Sequence, residues 1–186
     1  MPSVAVAAGA WLGTKVPWLG DRVRNGYAHV ATLDAALRVA REHSAKTLLF
    51  DVEPLVAYWD SGQQALDQGL TRVLAEAGAV PGVLVVCFST NSLRRPSVSL
   101  VRPGIRVVYL AAARKPFWLA PYQDFPAPGA LIGDQVLTDG ILARRLGYEF
   151  VHCEPDLGRL PRGPWLMNQG GRLALPLVKW HNHRGE

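Results

Sequence analysis

The chain has 186 residues, of which 49% are hydrophobic and 19% are charged, and this composition excludes an intrinsically disordered protein. The length fits one domain with short appendages and allows a proper core. The formal net charge of +5 favours anionic partners, such as phosphorylated small molecules, nucleic acid or an anionic membrane surface.

Residues 1–26 are predicted to form an N-terminal extension, not a signal peptide or a membrane span. The apolar segment 1–19 has no basic start, and two glycines and a proline interrupt it. Trp11 and Trp18 suit packing on the domain, which we favour, or contact with a membrane surface.

The two cysteines indicate a reducing compartment. Cys87 and Cys153 both lie within apolar runs, which favours buried free thiols over a disulfide or a zinc site. The cytoplasm is therefore the expected location, with peripheral attachment to a membrane as an alternative.

A helix and a strand come first along the chain. Thr32 is predicted to cap a helix that extends to His43. The apolar run that begins at Lys46 then delivers two carboxylates, Asp51 and Glu53, to its C-terminal edge. The apolar face of the helix consists of Leu33, Ala36, Leu37 and Ala40.

A second helix is predicted from Gln63 to Ala77 by its apolar spacing, and Gly78 is a natural stop after it. The apolar run 83–88 follows and ends in Ser89-Thr90-Asn91. A second strand therefore also ends in polar side chains.

Two more apolar runs bring a lysine and further carboxylates. The run 105–110 leads to Lys115, and the shorter run 130–132 leads to Asp134, with Asp139 about one helical turn further. Between Lys115 and Gly133 there is room for a helix of only about two turns, and prolines then force an extended or turning path.

The last predicted elements are a helix from Thr138 to Leu146 and a strand over 148–153. Strands that alternate with helices predict an α/β fold of the three-layer, Rossmann-like kind, with a mostly parallel central sheet covered on both faces. We place the core at residues 27–157 and expect residues 158–186 to be a tail that wraps it.

The carboxyl ends of parallel strands share one edge of the sheet, so Asp51, Ser89, Lys115 and Asp134 are expected to converge. A nucleophilic aspartate, a hydroxyl, a cation and a metal-binding carboxylate together describe phosphoryl transfer through an aspartyl-phosphate. The sheet edge is therefore the predicted catalytic site.

Each residue has a role in that reaction. Asp51 attacks phosphorus in line, and Glu53 protonates the leaving oxygen and then deprotonates the water that cleaves the aspartyl-phosphate. Ser89 donates a hydrogen bond to a phosphoryl oxygen, and Lys115 supplies a fixed positive charge.

The same carboxylates predict a Mg²⁺ site, because hard oxygen ligands without nearby Cys or His favour Mg²⁺ over zinc. The expected ligands are Asp51, Asp134 and the backbone carbonyl of Glu53. Asp139 binds the metal as well or orients Lys115.

Each position also has a structural explanation when it is taken alone. Asp51 could cap a turn, Ser89 could cap a helix, and Lys115 could be a solvated lysine. The order of these residues along one sheet edge favours a site. A receiver domain needs its phospho-acceptor after the third strand, where this chain continues as Leu110-Ala-Ala-Ala.

The order and spacing resemble the haloacid dehalogenase (HAD) superfamily of phosphatases. The closest likeness is to its YqeG-like branch in subfamily IIIA, related to phosphatidylglycerophosphate phosphatases. Residues 132–139, IGDQVLTD, are similar to the fourth motif of that branch nearly letter for letter, and Arg114-Lys115-Pro116 looks like its third. Ser89-Thr90-Asn91 stands where the branch usually carries Ser-Asn-Asn, which implies that Thr90 and Asn91 also bind substrate. The resemblance covers about Tyr27 to Asp156.

The first motif departs from the family pattern of Asp-x-Asp followed by Asn or Gly and then Thr. This chain reads Asp51-Val52-Glu53-Pro54-Leu55, so the second carboxylate is moved by one methylene. A displacement of ~1 Å can cost on the order of 100-fold in rate. Leu55 lacks a hydroxyl, and Pro54 removes an N–H that could face phosphate.

The resemblance implies a Mg²⁺-dependent phosphoester hydrolase that acts through an aspartyl-phosphate on Asp51. The intervals from Glu53 to Ser89 and from Asn91 to Lys115 are too short for a cap domain, so the site is expected to be open. An open site suits a large or surface-presented substrate: a lipid head group, a nucleotide or a phosphoprotein. A partner protein or a membrane surface could then cover it.

The alternative is a catalytically weakened HAD scaffold that binds a phosphate ligand or a protein partner, which the altered first motif favours. The sequence argues less for nucleic acid, because only the net charge points to it. Arg94-Arg95 and Arg144-Arg145 are predicted to be solvated surface.

Overall fold

A computed structural model describes residues 26–154 and 170–171, and the strands in these ranges form a single sheet. The strands are β1 (Tyr27–Val30), β2 (Thr47–Asp51), β3 (Val85–Ser89), β4 (Arg106–Leu110), β5 (Gly129–Gly133) and β6 (Glu149–Cys153). Their order across the sheet is β1-β6-β5-β2-β3-β4, and all neighbouring strands are parallel.

The helices are α1 (Leu33–Glu42), α2 (Gln63–Ala77) and α3 (Ile141–Leu146), with a 3₁₀ turn at Ala120–Tyr122 and a π-helical turn at Val136–Gly140. α1 begins as predicted, because Thr32 Oγ1 accepts a hydrogen bond from the backbone N–H of Ala35 at 3.2 Å. α2 has the predicted bounds.

Helices cover both faces of the sheet, which makes three layers. α1 and α2 pack on one face against side chains such as Leu48 and Phe50. α3 and the 3₁₀ turn pack on the other face, against Leu49 and Cys87. β2, β3, β5 and β6 are buried along their whole length, as expected for parallel strands between two helical layers. The predicted α/β architecture is confirmed.

β2 lies inside the sheet between β5 and β3, and its register sets the position of Asp51. Asp51 is the partner of Ser89 on β3, and Phe50 is the partner of Ile132 on β5. Between β2 and β3 the chain forms only turns and α2. The carboxyl end of the central strand is therefore not covered by an inserted domain.

Three local features differ from the sequence predictions. β1 was not predicted as a strand, although Tyr27 was placed at the start of the core. The predicted helix from Thr138 begins instead as the π-helical turn, and α3 covers only its end. The connection before β5 contains the 3₁₀ turn in place of a two-turn helix, because its prolines cannot continue a helical hydrogen-bond ladder.

The predicted N-terminal extension and most of the predicted tail lie outside the described residues. In the tail, Gly170 and Gly171 are helical, and they lie beside Leu137 and Val136. The two cysteines are buried and unpaired, as predicted. Within the described ranges, no helix is long and apolar enough to cross a membrane.

Candidate active site

Three aspartates meet at the carboxyl edge of the sheet. Asp51 ends β2, Asp134 follows β5, and Asp139 lies in the π-helical turn. One carboxylate oxygen of each lies within 4.8 Å of the other two, and all three side chains are buried. This aspartate cluster could hold one metal ion.

Lys115 lies between two members of the aspartate cluster. Its Nζ is 2.8 Å from Asp51 Oδ1 and 2.8 Å from Asp139 Oδ1. It also donates a hydrogen bond to the backbone oxygen of Ser89 at 3.3 Å. Burial lowers the pKa of Lys115, but the attraction of Asp139 and Asp51 outweighs it and holds the pKa above its usual value. Lys115 is therefore a permanent cation.

Asp134 is the least satisfied carboxylate of the cluster. Both of its side-chain oxygens are buried, and neither accepts a hydrogen bond from another described residue. Burial, followed by the negative charge of Asp139, raises the pKa of Asp134 to about 8. Burial and Asp139 also hold the pKa of Asp51 well above its usual range. When all three carboxylates are ionised they carry more negative charge than Lys115 balances, and a bound cation would neutralise the excess.

Gly133 makes room for Asp139. A Cβ at position 133 would lie 2.5 Å from Asp139 Oδ2, so a larger residue would displace that carboxylate. The backbone N–H of Gln135 donates to the same oxygen at 3.3 Å. The glycine and this N–H hold Asp139 where it reaches Lys115.

The carboxylate of Glu53 lies outside the aspartate cluster. Thr90 Oγ1 donates to Glu53 Oε2 at 2.6 Å, and Ser92 Oγ donates to Oε1 at 3.3 Å. Arg94 Nη1 lies 3.5 Å from the same Oε1. We call Glu53, Thr90, Ser92 and Arg94 the glutamate clamp. The expected backbone contact of Glu53 with a metal stays a prediction.

The residues after β3 have different surroundings from those predicted. Ser89 Oγ is buried beside the Tyr122 hydroxyl, and neither makes a hydrogen bond of regular geometry within the described residues. The Thr90 hydroxyl donates its hydrogen bond to Glu53 in the glutamate clamp. The Asn91 side chain accepts from Lys115 N at 2.8 Å and donates to Lys115 O at 3.3 Å. Of the three residues predicted to bind substrate here, only Ser89 has a side chain that contacts neither Glu53 nor Lys115 through a hydrogen bond among those described.

No protein-family model matches this chain, and no curated protein or solved structure matches it either.

Of the four arginines predicted to be solvated surface only Arg95 is exposed: Arg94 and Arg145 are half-buried and Arg144 is buried. Arg94 donates to the backbone oxygens of Tyr58 and Ser61, each at 2.8 Å, and so ties the glutamate clamp to the loop after β2. Arg145 donates to the backbone oxygens of Pro116 and Phe117, directly after Lys115. The planar guanidinium offers several donors at once, which suits it to fixing a loop.

Sequence reasoning also missed His152, whose Nε2 lies 3.0 Å from the backbone oxygen of Asp134. The signal that could have found it is its position near the end of the strand 148–153, at the same sheet edge as Asp134. The signal for the glutamate clamp was the polar run 89–92 that continues beyond Asn91.

Proposed function

We propose that this chain is a Mg²⁺-dependent phosphoester hydrolase of the HAD type with Asp51 as its nucleophile. The observation that supports this best is the buried convergence of Asp51, Asp134 and Asp139 around Lys115. The two unsatisfied oxygens of Asp134 fit a hard cation, because Mg²⁺ prefers carboxylate ligands. A Mg²⁺ ion held by the three aspartates would neutralise charge on the phosphoryl oxygens.

Asp51 performs the first step. One of its oxygens forms a bond to phosphorus while the bond from phosphorus to the ester oxygen breaks, and the leaving oxygen takes up a proton. Lys115, at 2.8 Å from Asp51, orients the nucleophile and stabilises the negative charge of the transferring group. Ser89 Oγ, which is buried beside the Tyr122 hydroxyl, is the proposed donor of a hydrogen bond to a phosphoryl oxygen.

Water completes the cycle. Its oxygen bonds to phosphorus, the bond from phosphorus to Asp51 breaks, and phosphate leaves. Glu53 is the proposed acid and base for both proton transfers. In that role its carboxylate has to leave the hydroxyls of Thr90 and Ser92 and reach the reacting oxygens.

A large or surface-presented substrate belongs to the same proposal. Only turns and α2 follow Asp51 before Ser89, which leaves the sheet edge without an inserted lid. Leu93 and Phe117, on the two loops that carry the glutamate clamp and Lys115, are 82% and 77% exposed. A lipid head group, a nucleotide or a phosphoprotein is the proposed substrate, in the cytoplasm or at its membrane surface.

The decisive experiment is a Mg²⁺-dependent phosphatase screen over lipid, nucleotide, sugar and phosphopeptide substrates. Asp51→Asn is expected to reduce turnover to background, because an amide is not a nucleophile toward phosphorus. Asp60→Asn is the matched control, since Asp60 is exposed, and it is expected to keep full activity. Equal rates for wild type and Asp51→Asn would refute the proposal.

The second candidate is a HAD-type scaffold that binds a phosphate ligand or a partner protein without turnover. It is favoured by the glutamate clamp, because three donors hold the carboxylate that would have to move protons. An enzyme is expected to lose turnover in Glu53→Gln and to gain rate when Glu53, Pro54 and Leu55 become Asp, Asn and Thr. A scaffold is expected to hydrolyse nothing in either form while still binding inorganic phosphate.

A further inference from the structure

A second group of metal-binding side chains lies at the β1 edge of the sheet. His29 is on β1, His152 is on β6, and Glu154 directly follows β6. One ligand atom of each lies within 4.8 Å of the other two. We propose that these three residues form a transition-metal site, best suited to Zn²⁺, that joins β1 to β6.

The backbone brings the three side chains to one face. His29 and His152 are register partners on neighbouring parallel strands, so their side chains point to the same side. Glu154 is two residues beyond His152 and therefore returns to that side. Its backbone N–H donates to Val30 O at 3.0 Å, which extends the β1–β6 ladder to the end of the site.

The hydrogen bonds of His152 give its ring the tautomer that a metal needs. Nε2 lies 3.0 Å from the carbonyl oxygen of Asp134, which only accepts, so Nε2 carries the hydrogen. Nδ1 then carries the lone pair, which accepts a hydrogen bond from the Tyr27 hydroxyl at 3.0 Å. Metal-binding histidines usually donate their other N–H to a carbonyl or carboxylate in this way.

The neutral imidazole fixed by these two hydrogen bonds is the form that binds a metal ion directly, whereas an imidazolium first has to lose a proton. A metal ion bound to Nδ1 would take the place of the hydrogen bond that the Tyr27 hydroxyl now donates to this atom.

The ligand set separates this site from the aspartate cluster. Two imidazoles and one carboxylate, with water as a fourth ligand, match the tetrahedral sites of Zn²⁺, while an all-carboxylate cluster suits Mg²⁺. His29 and Glu154 are 54% and 38% exposed, which gives the ion a path from solvent. The present 3.3 Å contact between His29 Nε2 and Glu154 Oε2 already brings two ligands together.

The proposed role is structural. β1 is at the edge of the sheet and pairs only with β6 among the described strands. An ion bound by one residue of β1 and two residues of the β6 segment would link them independently of the backbone ladder. Because His152 also holds the carbonyl of Asp134, the same ion would steady the strand end that carries the aspartate cluster.

Zn²⁺ titration calorimetry of the full chain tests the site, with excess Mg²⁺ present to occupy the aspartate cluster. We expect one Zn²⁺ site whose affinity falls at least about 10-fold in His29→Ala and in Glu154→Gln. His43→Ala is the matched control and is expected to bind as wild type does, because His43 is also exposed and pairs with Glu149 elsewhere. His29 and Glu154 are exposed enough for both variants to fold.

Two further readouts distinguish the alternatives. Zn²⁺ at about 100 times its dissociation constant should raise the melting temperature of wild type by about 5 °C or more, and should not raise that of His29→Ala. Co²⁺ should give visible ligand-field bands without a thiolate charge-transfer band. Equal Zn²⁺ affinity in wild type and His29→Ala would overturn the proposal. So would loss of binding only in the double variant His181→Ala/His183→Ala, which would place the ion in the tail.

Discussion

The aspartate cluster and the glutamate clamp lie at the same sheet edge but differ in how far the protein satisfies its own carboxylates. Glu53 receives hydrogen bonds from Thr90 and Ser92 and lies next to Arg94. Asp134 receives no hydrogen bond from another described residue, although both of its oxygens are buried. Buried polar groups are nearly always paired, so the two unpaired oxygens of Asp134 need an explanation, which a bound ion would supply.

The difference separates a site that could hold an added ion from one whose carboxylate is already paired. In the aspartate cluster Lys115 contacts two of the three carboxylates, and the remaining charge is neutralised by protons or by a bound cation. In the glutamate clamp the partners come from the chain itself. We therefore expect the loss of stability caused by substitutions in the aspartate cluster to change when divalent cations are added. The loss caused by substitutions in the glutamate clamp should stay the same.

Replacing Lys115 by methionine should give the largest effect. The change leaves Asp51 and Asp139 buried without their common partner, and breaking such a pair costs about 3–5 kcal/mol. Urea unfolding without divalent cations measures it, and saturating Mg²⁺ should recover part of the loss. Lys46→Met, at an exposed lysine, is the control with a change below about 0.5 kcal/mol. A Lys115→Met protein as stable as the control would contradict the charge balance described above.

The second-largest effect should come from pH, which changes the free energy of unfolding of the metal-free protein. The pKa of Asp134 is about 8 in the folded chain against 3.8 for the free side chain, so the folded state binds more protons between these values. Its contribution to stability is complete below about pH 4 and is lost as pH rises through 8, by up to about 1.4 kcal/mol per pH unit.

Denaturation at several pH values checks this slope, with Asp134→Asn as the comparison because an amide does not titrate. Saturating Mg²⁺ should flatten the dependence, since the ion favours the ionised carboxylate. A metal-free slope that is the same in wild type and Asp134→Asn would show that Asp134 does not titrate in this range.

Gly133→Ala should cause an intermediate loss of stability. The new methyl group would meet the Asp139 carboxylate, and such overpacking costs about 1–3 kcal/mol. Mg²⁺ affinity, measured by calorimetry, should fall with it because Asp139 moves. Gly62→Ala is the control, since nothing lies within 4 Å of a Cβ there. Unchanged Mg²⁺ affinity in Gly133→Ala would remove Asp139 from the metal site.

Arg94→Met should cause the smallest loss of stability, and it tests the glutamate clamp. Arg94 is partly exposed, so loss of its contacts with Glu53, Tyr58 and Ser61 should cost only about 1 kcal/mol. The loss should be the same with and without Mg²⁺. Arg95→Met, at an exposed neighbour, should change nothing. A loss in Arg94→Met that Mg²⁺ reverses would join the clamp to the metal site.

Much of the fold could be predicted because its signals are local. Thr32 and the apolar spacing after it define α1, and the same spacing defines α2 between Gln63 and Ala77. β1 could not be predicted in this way. It has four residues, and it is ordered by pairing with β6 at the far end of the core, which no local pattern reports.

Part of the candidate site could likewise be predicted from local signals, and part could not. That Asp51, Lys115 and Asp134 would meet follows from strand ends that share one edge of a parallel sheet. The direction of the Glu53 carboxylate does not follow, because it depends on Thr90, Ser92 and Arg94 from another loop. The π-helical turn that aims Asp139 at Lys115 also depends on tertiary packing, since its sequence suits an ordinary helix.

The pairing of β1 with β6 has a consequence for the order of events during translation. Tyr27 and His152, which contact each other across this pair, are 125 residues apart in the chain. A ribosome that adds about 5–20 residues per second needs roughly 6–25 s to cover that distance. β1 leaves the ribosome first among the described strands, yet it has no partner until the last of them is made. We therefore expect the nascent chain to expose this segment to proteases or chaperones for most of its synthesis, and the sheet to close only when β6 emerges.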